Sequence, residues 1–230
     1  MIRIQKISTF ISKVTISLAL LLVCSTAGAQ KLFKLEKDSI PLMRGFQVSF
    51  DLVGAAQMMF GDYGQYEAAL RLNLHDQWFP IVELGYGKAH RDDDPVTHLT
   101  YKTQAPYFRV GLDFNLLKQK HQSNRLFAGF RYAHTSYKVD LWRNGDFRDP
   151  YWGWPAVYDI RDEQCSQDWL EAVVGVDAQV FGPLHLGWSV RYKQRIAHKD
   201  GIMDKTWYVP GYGTWDSSAL GGTFNIIIDI

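Results

Sequence analysis

The sequence predicts an all-β fold, an eight-stranded antiparallel transmembrane up-and-down β-barrel. Eight segments of about ten residues alternate apolar and polar side chains, and in each the apolar set falls on even-numbered positions. The last segment reaches Ile230, and a barrel closes on its terminal strand. Short and long connections alternate, which is typical of outer-membrane barrels with periplasmic termini and long extracellular loops.

The first four predicted strands each carry a distinct apolar face. In the first, Phe46, Val48 and Phe50 alternate with polar neighbours, and the second has leucines at the even positions of its second half. The third places Pro80 near its start, where a missing N–H is tolerated. The fourth alternates large apolar residues with polar residues and glycine. These strands are predicted at Arg44–Gly54, Gln65–Leu74, Trp78–Gly87 and Tyr107–Leu116.

The last four predicted strands continue the pattern on either side of the longest predicted loop. That loop runs from Tyr137 to Gln167, between the fifth and sixth strands. The sixth and seventh strands are separated only by a turn that contains Pro183, whose fixed φ suits a turn. These strands are predicted at Arg125–Ser136, Asp168–Val180, Leu184–Lys193 and Leu220–Ile230.

The N-terminus has the features of a secretory signal peptide. Three basic residues precede a short apolar run, and Ala27-Gly28-Ala29 forms a small-residue cleavage site. We therefore expect a signal peptide at 1–29, a periplasmic segment at 30–43 and the barrel at 44–230. Cleavage removes Cys24 and leaves Cys165 as the one cysteine of the mature chain, which excludes an intramolecular disulfide.

The odd-numbered face is predicted to line the barrel interior. It combines glycines with arginines and carboxylates, and guanidinium groups can bond several acceptors in a narrow space. Eight strands enclose room for side chains only, so we expect a plugged interior and not a pore. A secreted, soluble, lipocalin-like ligand-binding barrel is the alternative fold. The predicted interior charge network comprises Asp51, Glu67, Arg71, Glu83, Arg109, Asp113, Arg131, Glu171, Asp177 and Arg191.

The strand pattern from Arg44 to Ile230 resembles that of small Gram-negative outer-membrane barrels, the class of the OmpA transmembrane domain and OmpX. Within that class, the Ala29-Gln30 junction and the aromatic-rich loops look most like an uncharacterised barrel family of the Bacteroidota. The resemblance implies location in the cell outer membrane and partners that include outer-membrane lipid, lipopolysaccharide and the barrel assembly machinery. The final Ile230 departs from the aromatic residue with which such assembly signals usually end.

The first functional hypothesis is a structural or surface-recognition role through aromatic-rich extracellular loops. Exposed aromatic rings with arginines form rigid contact surfaces for proteins or stacking surfaces for sugars. An extracellular protein or a glycan is therefore the expected partner class. The predicted recognition residues are Trp142, Arg143, Arg148, Tyr151, Trp152, Trp154, Trp207, Tyr212 and Trp215.

The second functional hypothesis is an esterase that acts on outer-leaflet lipid. His134 and Ser136 share the even-numbered face of one strand, and Asp168 begins the next strand with the same parity. A histidine positioned by a carboxylate can activate a serine against an acyl ester. The pattern resembles the His-x-Ser arrangement of barrel lipid A deacylases, although Tyr137-Lys138 stands where that family has Asn-Ala.

Charge and motifs exclude several other classes. The chain has 25 basic and 24 acidic residues, so nothing favours a nucleic-acid partner. The acidic run at Asp92–Asp94 lacks the glycine and spaced oxygens of an EF-hand loop. We therefore expect neither a metal ion nor a cofactor.

Overall fold

The structure is a computed structural model, which describes residues 41–95, 98–143, 159–199, 201–202, 206–214 and 216–230. The predicted signal peptide and nearly all of the predicted periplasmic segment lie outside these residues. Within them, no helix is long and apolar enough to cross a bilayer.

Eight long strands close into a single antiparallel ring, which confirms the predicted eight-stranded architecture. The elements are β1 (Met43–Asp51), α1 (Leu52–Phe60), β2 (Tyr63–Leu74), β3 (Trp78–Arg91), β4 (Leu99–Asn115), β5 (Arg125–Arg143), β6 (Asp159–Phe181), β7 (Leu184–Lys199), β8 (Tyr208–Val209), β9 (Gly213–Thr214) and β10 (Ser218–Asp229). The ring order is β1, β10, β7, β6, β5, β4, β3 and β2, and the two-residue strands β8 and β9 form a separate hairpin.

The ring has two distinct ends. The tight-turn end carries the connections at 75–77, 116–124 and 182–183, together with residues 43 and 230. The loop end carries the other connections, including α1 and the β8–β9 hairpin. Odd-numbered side chains of the strands point inward and even-numbered ones outward over most of the wall.

The strands extend further toward the loop end than the sequence pattern predicts. β5 continues to Arg143 and β6 begins at Asp159, so much of the predicted loop from Tyr137 to Gln167 is strand, and that boundary is wrong. Side chains still alternate in this region, but here the inward, odd-numbered positions are the apolar ones, as the buried Tyr137 and Cys165 show. A pattern defined by apolar even positions therefore ends too early.

The first predicted strand is too long, since β1 ends at Asp51 and α1 begins at Leu52. The carboxylate of Asp51 accepts hydrogen bonds from the backbone N–H groups of Val53 (3.2 Å) and Gly54 (3.0 Å). It therefore forms the N-cap of the helix. This side chain ends the strand by satisfying the first free donors of α1.

Candidate functional site

Glu83 lies at the centre of a buried charge network in the middle of the barrel. Its carboxylate is 2.7 Å from Arg191 Nη1, 3.0 Å from Arg131 Nε and 3.2 Å from Arg109 Nη1. Glu83 is 1% exposed and Arg109 is fully buried. Three guanidinium groups from three different strands thus converge on one carboxylate.

Further carboxylates extend the network along the barrel axis. Glu67 and Glu171 contact Arg109 and Arg191, with Arg109 Nε lying 2.9 Å from Glu171 Oε1. Toward the tight-turn end, Asp113 accepts two bonds from Arg131, at 2.5 and 3.0 Å. The ten side chains predicted to line the interior are all buried.

The structure adds one arginine to the predicted set and gives Asp51 a different role. Arg125 Nη2 donates to Asp177 Oδ2 at 2.8 Å, beside Arg71 Nη1 at 2.7 Å from the same oxygen. Asp51 is buried, but in the described chain it caps α1 and accepts from Phe224 N at 3.2 Å instead of forming an ion pair. Arg125 begins its strand with inward parity, which could have identified it from the sequence.

The segment 206–214 closes the interior at the loop end. Lys193 Nζ donates to the carbonyls of Gly211 and Tyr212, both at 2.9 Å, and Arg109 Nη2 donates to the Gly211 carbonyl at 2.7 Å. Tyr101 Oη donates to the Tyr208 carbonyl at 2.7 Å. These bonds fix the β8–β9 hairpin as a cap directly above the charge network.

Tyr212 was predicted to be an exposed contact residue, and that prediction is wrong. The residue is 2% exposed, and its ring packs edge-on against Trp169, with ring centroids 5.6 Å apart. Burial raises the pKa of Tyr212 to about 12, and its hydroxyl donates to the Asp216 carbonyl at 3.0 Å. The aromatic composition of this segment therefore serves packing within the barrel mouth.

The other predicted recognition residues fall into two groups. Trp142 and Arg143 lie on β5, half-buried, and the Arg161 guanidinium stacks 3.9 Å from the Trp142 ring. Trp207 packs edge-on against Tyr101 at 5.5 Å. The remaining five lie outside the described residues: Arg148, Tyr151, Trp152, Trp154 and Trp215.

On the outer face, the structure brings together two of the three residues of the esterase hypothesis. His134 Nδ1 lies 2.8 Å from Asp168 Oδ1, which also accepts a hydrogen bond from Tyr132 Oη at 2.7 Å. His134 and Ser136 lie about 7 Å apart along β5, as alternate residues of one strand do. No hydrogen bond joins them in the described chain, so the structure forms a dyad and not a triad.

A polar cavity of about 270 Å³ opens at the tight-turn end, lined by residues that include Arg44, Asp76, Arg125, His185 and Asp229. Among the described residues, no group of three or more histidine, cysteine or acidic side chains could hold a metal ion.

Comparisons with known proteins give structural matches and a family. Similar solved structures include the major outer membrane protein of Thermus thermophilus, at 12% identity and a TM-score of 0.46, covering 81% of this chain and 100% of that chain. Neisserial surface protein A is 9% identical with a TM-score of 0.42, covering 82% of this chain and 99% of that chain. CarO2 of Acinetobacter baumannii is 10% identical with a TM-score of 0.39 and the same coverages.

No curated protein matches the sequence. The profile of one family, described as "Domain of unknown function (DUF6048)", matches residues 8–229, which is nearly the whole chain. The chain therefore belongs to the DUF6048 family.

Proposed function

We propose that this protein is an integral outer-membrane β-barrel with a closed interior, and that its loop end faces the cell exterior in a structural or surface-recognition role. The observation that carries the proposal is a reversal of chemistry along the wall. A band of exterior aromatic rings divides the wall into two zones. Between the band and the tight-turn end, the outer face is apolar and the inner face is charged. Between the band and the loop end, the outer face is polar and the inner face is apolar. The band comprises Tyr66, Tyr86, Phe108, Tyr132 and Tyr192.

Single strands show this reversal most clearly. On β4, Val110 points outward and is 41% exposed, while its neighbour Arg109 is fully buried. Closer to the loop end of the same strand, Lys102 is exposed and Tyr101 is buried. A wall surrounded by lipid needs the first arrangement, and a wall surrounded by water needs the second.

The height of the apolar belt fits a bilayer. On β3 it extends from Trp78, which packs against Phe114 at 5.5 Å, to Tyr86 in the aromatic band. Eight residues of a strand tilted by about 40° rise about 21 Å along a barrel axis. Outer-membrane barrels carry an apolar band about 25 Å tall between two aromatic girdles.

The interior argues against both a pore and a lipocalin-like ligand site. The cavity within the charge network has a volume of about 10 Å³, which is about the space that one water molecule needs. Ion pairs fill the belt region, and the β8–β9 hairpin caps them. We therefore propose a barrel that carries no solute through its centre.

Depth-dependent labelling tests the proposal. In a Cys165→Ala background, Val110→Cys and Lys102→Cys each receive an environment-sensitive fluorophore, and the protein is folded into phospholipid vesicles. We expect lipid-borne quenchers to quench the label at 110 and aqueous iodide to quench the label at 102, with no steady ion conductance in either variant. Equal iodide quenching at both positions would reject the membrane location.

The His134–Asp168 contact favours one second candidate, the outer-leaflet lipid esterase. The carboxylate orients the imidazole on the outer wall at the aromatic band, where lipid esters would lie. The test compares fatty-acid release from lipid A by wild-type protein, Ser136→Ala and the control Ser166→Ala, in which the neighbouring serine of β6 is removed. The esterase requires release that Ser136→Ala abolishes and Ser166→Ala retains, and no release by the wild-type protein rejects it.

A further inference from the structure

The barrel wall is incomplete beside α1. β1 pairs with β10 only as far as Asp51–Asn225, and with β2 only as far as Phe50–Ala68. Beyond these pairs, the loop-end parts of β10 and β2 each have a neighbouring strand on one side only. The helix α1 occupies the position that a longer β1 would fill.

The two sides of α1 contact the wall differently. On the β2 side, glycines allow backbone to meet backbone: a Cβ atom on Gly64 would lie 2.1 Å from Met58 N, and one on Gly54 would lie 2.6 Å from the Gln65 carbonyl oxygen. On the β10 side, the Asp51 carboxylate accepts from Phe224 N at the base of the helix. Past that bond, α1 and β10 leave a groove between them.

This groove is apolar and opens on the lipid-facing belt. Its volume is about 570 Å³, within the range of pockets that hold small molecules. The backbone of Gly222 forms part of its floor, and Trp188, 68% exposed, forms part of its wall. The other side chains that shape it include Val53, Gln57, Val174, Val190 and Phe224.

We propose that the groove is a binding site for one acyl chain of an outer-leaflet lipid. The inference rests on the proposed membrane location, which puts hydrocarbon chains against this surface. Lipid tails are as apolar as the lining, so the preference comes from close packing in a concave site.

Gln57 gives the site a polar end. It lies on α1 beside Gly64 of β2. Gly64 is two residues from the band residue Tyr66 on the same strand, so Gln57 lies close to the depth of the band. Ester and amide groups of membrane lipids lie at the depth of such aromatic bands. The carboxamide of Gln57 is therefore placed to bond the carbonyl of the lipid whose chain occupies the groove.

Photolabelling tests this proposal. Wild-type protein is folded into phosphatidylcholine vesicles that contain a trace of phosphatidylcholine with a diazirine on one acyl chain, then illuminated, and the labelled peptides are quantified by mass spectrometry. We expect peptides that contain Val53–Gln57 and Trp188–Val190 to be labelled about fivefold above the belt average, equivalent to roughly 1 kcal/mol at 25 °C.

Two filling variants and one control complete the test. Gly222→Leu fills the groove without strain at its Cβ, which would meet only the Ser189 carbonyl oxygen, at 3.7 Å. Val53→Trp fills it from the helix side, and Ala178→Leu adds the same side chain as Gly222→Leu on the exposed face of β6 outside the groove. We expect both filling variants to reduce labelling at the groove to the belt average and the control to retain it.

The outcomes separate this proposal from the membrane location. Uniform labelling of the whole belt in the wild-type protein would overturn the acyl-chain site while supporting the membrane location. Absence of label from belt residues such as Leu84 and Val110 would overturn both. Enriched labelling that persists in both filling variants would also overturn the site.

Discussion

Glu83 is a carboxylate buried in the barrel interior among charged neighbours. It lies inside a ring of strands, where the guanidinium groups of Arg109, Arg131 and Arg191 compensate its charge. Desolvation of buried charges is costly and offsets much of their mutual attraction, so the intact network adds little net stability. A substitution that removes one charge of the network leaves the partners of that charge buried and uncompensated, which destabilises the folded barrel.

At the residue scale, we predict that Glu83→Gln destabilises the barrel by about 3–5 kcal/mol, because removal of one partner leaves buried charge uncompensated. The matched substitution Asp162→Asn removes a carboxylate from an exposed pair with Lys138, 3.1 Å long, and should cost less than about 1 kcal/mol. Urea unfolding in vesicles, followed by loss of the folded band on an unheated gel, measures both. Equal midpoints would contradict the buried-network account.

Parity predicts the interior residues, and no sequence rule predicts their partners. Alternation of side chains along a strand is local, so the inward position of Arg71 or Asp177 can be read from residue numbers alone. That Arg191 meets Glu83 depends on the register between strands distant in the chain. Tyr212 is the converse case, because its loop has no period and gives no sign that the ring packs inside the barrel.

At the scale of elements, α1 is the departure from a regular barrel. A strand that ended at Asp51 without a successor would expose the edges of β2 and β10 to lipid. The helix occupies part of that space, packs closely on β2 and satisfies its own backbone internally. The predicted strand at Arg44–Gly54 missed it because the even-position rule still holds at Leu52, while the capping role of Asp51 depends on the fold.

Two glycines in the same region distinguish tight packing from open space. We predict that Gly64→Ala costs about 1–3 kcal/mol, since its Cβ would overlap the backbone of Met58 and push α1 off β2. Gly222→Ala should be neutral or slightly stabilising, because a strand glycine is entropically costly and nothing crowds its Cβ. The midpoint of heat modification on gels measures both, and similar shifts in the two variants would refute the close α1–β2 contact.

At the scale of the whole molecule, the barrel has two cores suited to two surroundings. The charge network fills the belt, and an apolar cluster that includes Tyr101, Val139 and Trp169 fills the loop end. The apolar even positions predict the first core. They do not predict the second, because there the same parity carries the opposite chemistry, and the predicted loop from Tyr137 to Gln167 covers part of its strands.

This arrangement predicts that one substitution has different costs at two heights of the same strand. Val110→Arg places a charge in the belt and should cost about 2–4 kcal/mol at the bilayer midplane. Gln104→Arg, on the same outer face of β4 but beyond the aromatic band, should change stability by less than about 0.5 kcal/mol. Folding yield and urea midpoints in vesicles measure the difference, and equal costs would mean that both positions face water.

The short pairing between β1 and β10 has a mechanical consequence. The junction of the first and last strands runs from Phe46–Ile230, whose backbones exchange hydrogen bonds of 3.0 and 2.8 Å, to Asp51–Asn225, whereas β5 and β6 pair from Arg125–Asp177 to Trp142–Asp159. The ring is therefore joined by its shortest ladder where β1 meets β10. Heat or force should therefore split the cylinder lengthwise along this seam before any other pair of strands separates.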